Sequence, residues 1–118
     1  MTEEGSLKSA VEDYLQVLEN QGKLKFFRLN AGDFIEVRGD SRRRIKGCKK
    51  GTADFEVIEE IDDHIYRHSY PRVIFIETKS KTGKQTKEQK EFERDVIFQG
   101  CEYHIVRTFE EIVGVLRR

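Results

Sequence analysis

Apolar residues recur at helical spacing near the start of the chain. Leu7, Ala10, Val11, Tyr14, Leu15 and Leu18, with Gly22 as a stop signal, predict an amphipathic helix over 6–21. LKFFRL (24–29) is a short apolar and aromatic run and predicts a strand, turning at Asn30-Ala31-Gly32. FIEV (34–37) and RRRIK (42–46) flank Arg38-Gly39-Asp40-Ser41, which predicts a small hairpin. Gly47 and Gly51 bracket a basic loop before a further strand at 52–59. The acidic stretch 60–70 reads as a connection closed by Pro71. RVIFIETK (72–79) has a continuous apolar centre, the mark of a strand buried on both faces.

After a turn at Gly83 the pattern gives a helix over 86–99, a strand CEYHIVR (101–107) and a last helix from 108. Both late helices open on a capping box, T-x-x-Q at Thr86 to Gln89 and T-x-x-E at Thr108 to Glu111. The strand–helix–strand unit over 72–107 calls for a right-handed crossover between parallel strands. The expected order is α-β-β-β-α-β-α, a mixed α/β sheet flanked by helices in one domain spanning 1–118. A second domain would leave neither half enough apolar surface to bury.

Charge changes the picture through its distribution. Lys plus Arg (22) balances Asp plus Glu (22), so net charge names no partner. Residues 38–50 nevertheless carry Arg38, Arg42, Arg43, Arg44, Lys46, Lys49 and Lys50 against Asp40 alone. Residues 79–90 add five lysines against Glu88, while acids gather at 56–63. Two basic runs favour a surface for nucleic acid over unrelated solvated loops. Cys48 and Cys101 have neither zinc-ligand spacing nor a disulfide framework, which fits a reducing cytoplasm. No segment approaches the roughly 18 to 20 apolar residues of a membrane span. The start, MTEEGSLKS, lacks the basic and apolar stretches of a signal peptide. A soluble intracellular protein with no membrane partner is expected.

Strand alternation puts Glu77 and Lys79 on one face and Thr78 on the other. Val73 and Phe75 share the face of Glu77, so a carboxylate emerges beside a core and calls for positive charge. GTADFEVI places Asp54 at the start of a neighbouring strand; if the two strands pair, Asp54 and Glu77 reach one divalent cation. Mg²⁺ suits such a site, because it takes one or two carboxylates and keeps waters or substrate phosphates. A metal beside a lysine suits phosphodiester hydrolysis. The bare D…E-x-K pattern arises easily by chance, and alone it is better explained as a strand-end ion pair. Glu56 shares the face of Asp54 on a regular strand and stands in reserve. His64 and His68 have helical zinc spacing, but no third ligand or glutamate motif accompanies them, and a zinc site is rejected.

Several stretches, taken in order, resemble the virus-type replication-repair nuclease (VRR-NUC) domain, a branch of the PD-(D/E)xK, restriction-endonuclease-like superfamily. They are VEDYLQ (11–16), FFRLNAG (26–32), GTADF (51–55), VIFIETKSKTGKQTKEQKEF (73–92) and FQGCEYHIVRTFEEIVGVL (98–116). Ala53 departs from the proline often found before the aspartate, and the acidic connection 59–70 is longer than usual. The resemblance implies a restriction-endonuclease-like sheet, with Asp54, Glu77 and the Thr78 backbone carbonyl as ligands of Mg²⁺ or Mn²⁺. It implies Lys79 as the catalytic lysine, Glu12 as a supporting helix carboxylate and Gln89 near the chemistry. Two of these have plain alternatives: Glu12 as a surface partner of Lys8, and Gln89 as a helix cap only. Arg28, Asn30, Lys84, Arg42, Arg43 and Arg44 are candidates for phosphate contacts.

The resulting expectation is a metal-dependent DNA endonuclease of the structure-specific kind. It resembles the Holliday-junction resolvases, which act on branched DNA as homodimers. A viral or prophage origin fits the stand-alone size. The competing readings are a general nicking or flap nuclease and a non-catalytic DNA-binding module on the same fold.

Overall fold

The computed structural model describes residues 2–63, 65 and 67–116. Helix α1 (Glu3–Asn20) is followed by strands β1 (Lys25–Arg28), β2 (Asp33–Arg38), β3 (Ser41–Lys46), β4 (Phe55–Asp63) and β5 (His68–Thr78). Helix α2 (Lys87–Phe98), strand β6 (Glu102–Val106) and helix α3 (Phe109–Leu116) complete the order. Four strands form a mixed sheet in the order β1-β4-β5-β6. Its β1–β4 and β4–β5 pairs are antiparallel, and its β5–β6 pair, joined through α2, is parallel. The expected mixed α/β architecture is present.

The element order differs from the expected α-β-β-β-α-β-α in having five strands between α1 and α2. The 34–37/42–46 hairpin does form, but as a separate two-stranded sheet. Gly39, at φ +57°, occupies the first position of its two-residue loop, where a tight hairpin turn requires glycine. The second difference lies in 60–70. It is not a connection, because β4 and β5 continue pairing through it from Glu60↔Pro71 to Asp63↔His68. Beyond Ile58 and Ile74 neither β1 nor β6 pairs with this hairpin, and past Glu59 and Arg72 it runs on as two strands in solvent. Charged side chains are at home there, and the acidic composition concealed the strand. Pro71 sits where β5 has outrun β6, so its missing N–H falls on a segment with an open edge.

The core lies on the sheet face covered by α1 and α3. Phe55 and Val57 of β4, Ile74 and Ile76 of β5 and Val106 of β6 pack with Val11, Leu15 and Ile112, all fully buried. On the opposite face Phe92 of α2 meets Phe75 edge-on, with ring centroids 5.1 Å apart. Arg72 fastens the sheet's lower end through Glu59 (2.8 Å), Glu102 and the Val115 carbonyl (3.3 Å). The molecule measures 60 × 31 × 29 Å with a radius of gyration of 16.2 Å. A compact chain of this length would have about 13.5 Å. The excess fits two protruding hairpins, β2–β3 and the outer part of β4–β5.

Candidate active site

The upper ends of β4 and β5 meet below a cavity of about 380 Å³ whose lining includes Lys8, Arg28, Asn30, Asp54, Glu77 and Gln89. Asp54 lies in the bend just before β4, one residue past the Phe55↔Ile76 pair. Its Oδ2 accepts from the Thr78 backbone N–H (2.8 Å) and the Thr78 hydroxyl (2.7 Å), which fix the carboxylate at the mouth of β5. Its Oδ1 lies 3.0 Å from Lys8 Nζ on α1. The expected pairing of β4 with β5 therefore brings Asp54 and Glu77 to one cavity, and Thr78 is the residue that aims Asp54.

Glu77 is the unusual group. Its side chain is nearly fully buried; Oε2 accepts from Gln89 Nε2 at 3.1 Å, while Oε1 has no hydrogen-bond partner. Lys79 Nζ is 3.8 Å from Oε2, so the two share a face as alternation required. Burial, and then the neighbouring Asp54 carboxylate, push the Glu77 carboxyl up to about 7; Lys79 opposes them and Glu4 adds to the push. Burial outweighs the Lys79 ammonium, and Oε1 is left without a donor.

Gln89 caps α2 and also touches Glu77. Its Oε1 accepts from the Thr86 backbone N–H, closing the capping box, and its Nε2 is left free to donate to Glu77. One side chain thus ties the start of α2 to the site. Arg107 holds the intervening loop, donating to the carbonyls of Ser80 (2.7 Å) and Gly83 (2.8 Å). Gly51 matters for a different reason. A Cβ there would come within 2.5 Å of the Glu88 backbone at a φ of +92°, so only glycine lets the β4 approach lie against α2.

The other candidates sort by position. Lys79 is buried beside Glu77 and is not part of the cavity lining. Glu12 stands one step away: it accepts from Arg28 Nη1 at 2.9 Å, and Arg28 borders the cavity. Lys8 goes to Asp54, not to Glu12 as the surface-pair alternative would have it. Lys84 is exposed on the loop before α2, and Arg42, Arg43 and Arg44 are on β3, all outside the lining. Glu56, the reserve candidate, is also outside it. His64 lies outside the described residues.

Sequence reasoning missed Lys8 and Glu4. Helix α1 begins at Glu3, capped by the Thr2 hydroxyl, which accepts from the Gly5 N–H. This extra turn turns Glu4 toward the site, where it perturbs Glu77. The signal was a threonine followed by two acids, a first-turn signature that Gly5 weakened.

Among the described residues no three His, Cys, Asp or Glu side chains cluster as a ready-made metal cage. Two carboxylates, one with an orphan oxygen, fit instead a hard cation that takes its remaining ligands from water and phosphate. Comparison with protein-family models, curated proteins and solved structures gives no match for this chain.

Proposed function

We propose that this chain is a metal-dependent DNA endonuclease whose centre is Asp54, Glu77 and Lys79. The observation that carries the reading is the orphan Oε1 of buried Glu77, beside Asp54 at a cavity rimmed by Arg28 and Asn30. An ordinary strand-end ion pair would leave its carboxylate satisfied or in water. The resemblance of the motifs to VRR-NUC nucleases supports the same conclusion.

Mg²⁺ or Mn²⁺ would be held by Asp54 and Glu77, with the Thr78 carbonyl as a third ligand from the chain. When bound it supplies Lewis-acid polarisation of a phosphate oxygen and acidifies water. The chain's own groups do the remaining work. Thr78 locks Asp54 with two hydrogen bonds, and Gln89 locks Glu77 from α2. The Lys79 ammonium, 3.8 Å from Glu77 Oε2, would offset charge developing on the phosphate or orient water there. Arg28 and Asn30 position the DNA backbone at the rim, and Glu12 sets the Arg28 guanidinium. Lys8, 3.0 Å from Asp54 Oδ1, offsets the charge of that carboxylate.

Incubation with Mg²⁺ or Mn²⁺ and labelled duplex, nicked, flap and four-way-junction DNA tests the reading. Metal-dependent cleavage is the expected result. Symmetric cuts confined to the junction, by a chain that sediments as a dimer, would establish the resolvase-like form. Cleavage across the panel would establish a general nuclease. Binding without cleavage under every metal condition would leave a DNA-binding module and end the nuclease reading.

A further inference from the structure

The β2–β3 hairpin has two unlike faces, because residues directly opposed across an antiparallel pair share a face. On one face Glu36 is opposite Arg43, and Arg38 is opposite Ser41. Glu36 binds both arginines there, with Arg43 at 3.9 Å, so its carboxylate offsets part of the positive charge of this face. On the other face Ile35 is opposite Arg44 and Val37 is opposite Arg42. Ile35 and Val37 are 69% and 61% exposed, a bare apolar pair bordered by cations.

The root of this arm adjoins the candidate active site. Gly32 N–H donates to the Cys48 carbonyl (2.9 Å) and Cys48 N–H to the Asn30 carbonyl (2.6 Å), which ties the strand ends together. Asn30 and Ala31, leading into the arm, and Gly51 and Thr52, leading out of it, line the 380 Å³ cavity. Lys46, Lys49 and Lys50 border a second hollow at the root. Lys50 reaches Glu88 at 3.6 Å, so the arm's basic run meets the start of α2, where the second basic run lies.

We propose that the β2–β3 arm is a DNA-contacting ribbon that enters a groove of duplex DNA with Ile35, Val37 and Arg42 on its inserted face. The inference deepens the nuclease reading by naming the form of its substrate: duplex beside the scissile phosphate. Paired six-residue strands make a ribbon roughly 20 Å long. The major groove, about 12 Å wide, admits a two-stranded ribbon. Its phosphate walls match the cations, and thymine methyls and base edges match the apolar pair.

The test measures binding without cleavage, in chelator, to a labelled duplex and to a single strand of equal length. Ile35→Ser/Val37→Ser is expected to weaken duplex binding about tenfold and to leave single-strand binding and the salt dependence unchanged. Arg42→Gln is expected to weaken binding and lower the slope of log affinity against log salt by about 1. All these positions are exposed, and circular dichroism melts matching the wild type verify folding. Duplex affinity unchanged in both variants overturns the proposal, as does a wild-type chain that binds no duplex. A double variant that turns a dimer into a monomer without loss of duplex affinity also overturns it, and makes the arm a self-association surface. Because no step requires catalysis, a chain that binds through the arm but never cuts would sink the nuclease reading alone. A chain that cuts while both variants bind normally would sink the arm alone.

Discussion

The β4–β5 and β2–β3 hairpins are both antiparallel, and FEVI at 55–58 resembles FIEV at 34–37, yet their surroundings differ. The β4–β5 pair lies between β1 and β6 under α1, with Phe55, Val57, Ile74 and Ile76 fully buried. The β2–β3 pair joins no other strand and leaves Ile35 and Val37 in solvent. Local alternation makes both hairpins; flanking layers decide what their charges can do. In β4–β5 the buried Glu77 cannot shed its charge into water, and its carboxyl rises to about 7. On the arm the same kinds of side chain are solvated and suit contact with a partner.

The widest separation between the hairpins should appear in catalysis. Glu77→Ala is expected to reduce metal-dependent DNA cleavage by at least about a thousandfold while duplex binding in chelator stays within about twofold. The arm variant Ile35→Ser/Val37→Ser should do the reverse, weakening binding and preserving hydrolysis of a small phosphodiester too short to reach the arm. Single-turnover cleavage and fluorescence anisotropy measure the two sides. A Glu77→Ala protein with normal turnover would erase the distinction between a chemical hairpin and a contact hairpin.

Stability should separate them next. Ile76→Ala removes a fully buried side chain of β5 and is expected to cost about 3 to 4 kcal/mol in denaturant unfolding. Val37→Ala, at an exposed arm position, should stay within about 0.5 kcal/mol. Gly51→Ala falls between, at about 2 kcal/mol, since its Cβ would collide with backbone at Glu88 and its φ is positive. That substitution should also lower metal-dependent cleavage, because Gly51 links the root of the arm to the site.

The same contrast explains what could be read in the sequence. The mixed sheet, the parallel β5–β6 unit, the Thr86 capping box and the shared face of Glu77 and Lys79 follow from periodicity and capping chemistry, which are local. The extension of β4–β5 through 60–70 was hidden because a two-stranded segment in water carries charges, as a loop would. The role of Lys8 was hidden because helical spacing pairs it with Glu12, whereas Asp54, distant in sequence, lies 3.0 Å away. Gln89 was legible as a cap; its second bond to Glu77 depends on how α2 packs. Long-range partners of charged groups are a property of the fold, and motif spacing does not encode them.

The finest test concerns whether Glu77 is neutral or ionised in the folded chain without metal. An ordinary glutamate ionises near pH 4.5, and the folded state holds Glu77 up to about 7. Between these values the unfolded chain has released a proton that the folded chain retains, so rising pH favours unfolding. The folded state loses stability from about pH 4.5 to about pH 7, and the loss is complete above that window. Glu77→Gln keeps an oxygen that accepts from Gln89 and removes the charge. In chelator it is expected to be more stable than wild type by about 1 to 3 kcal/mol at about pH 8, and nearly equal to it at about pH 4. Added Mn²⁺ should reverse the order near pH 8, stabilising wild type and leaving the glutamine variant almost unchanged. Thermal melts at the two pH values measure both effects. Equal stabilities at about pH 8 would mean that Lys79 fully offsets the Glu77 charge, and β4–β5 would then differ from the arm in burial alone.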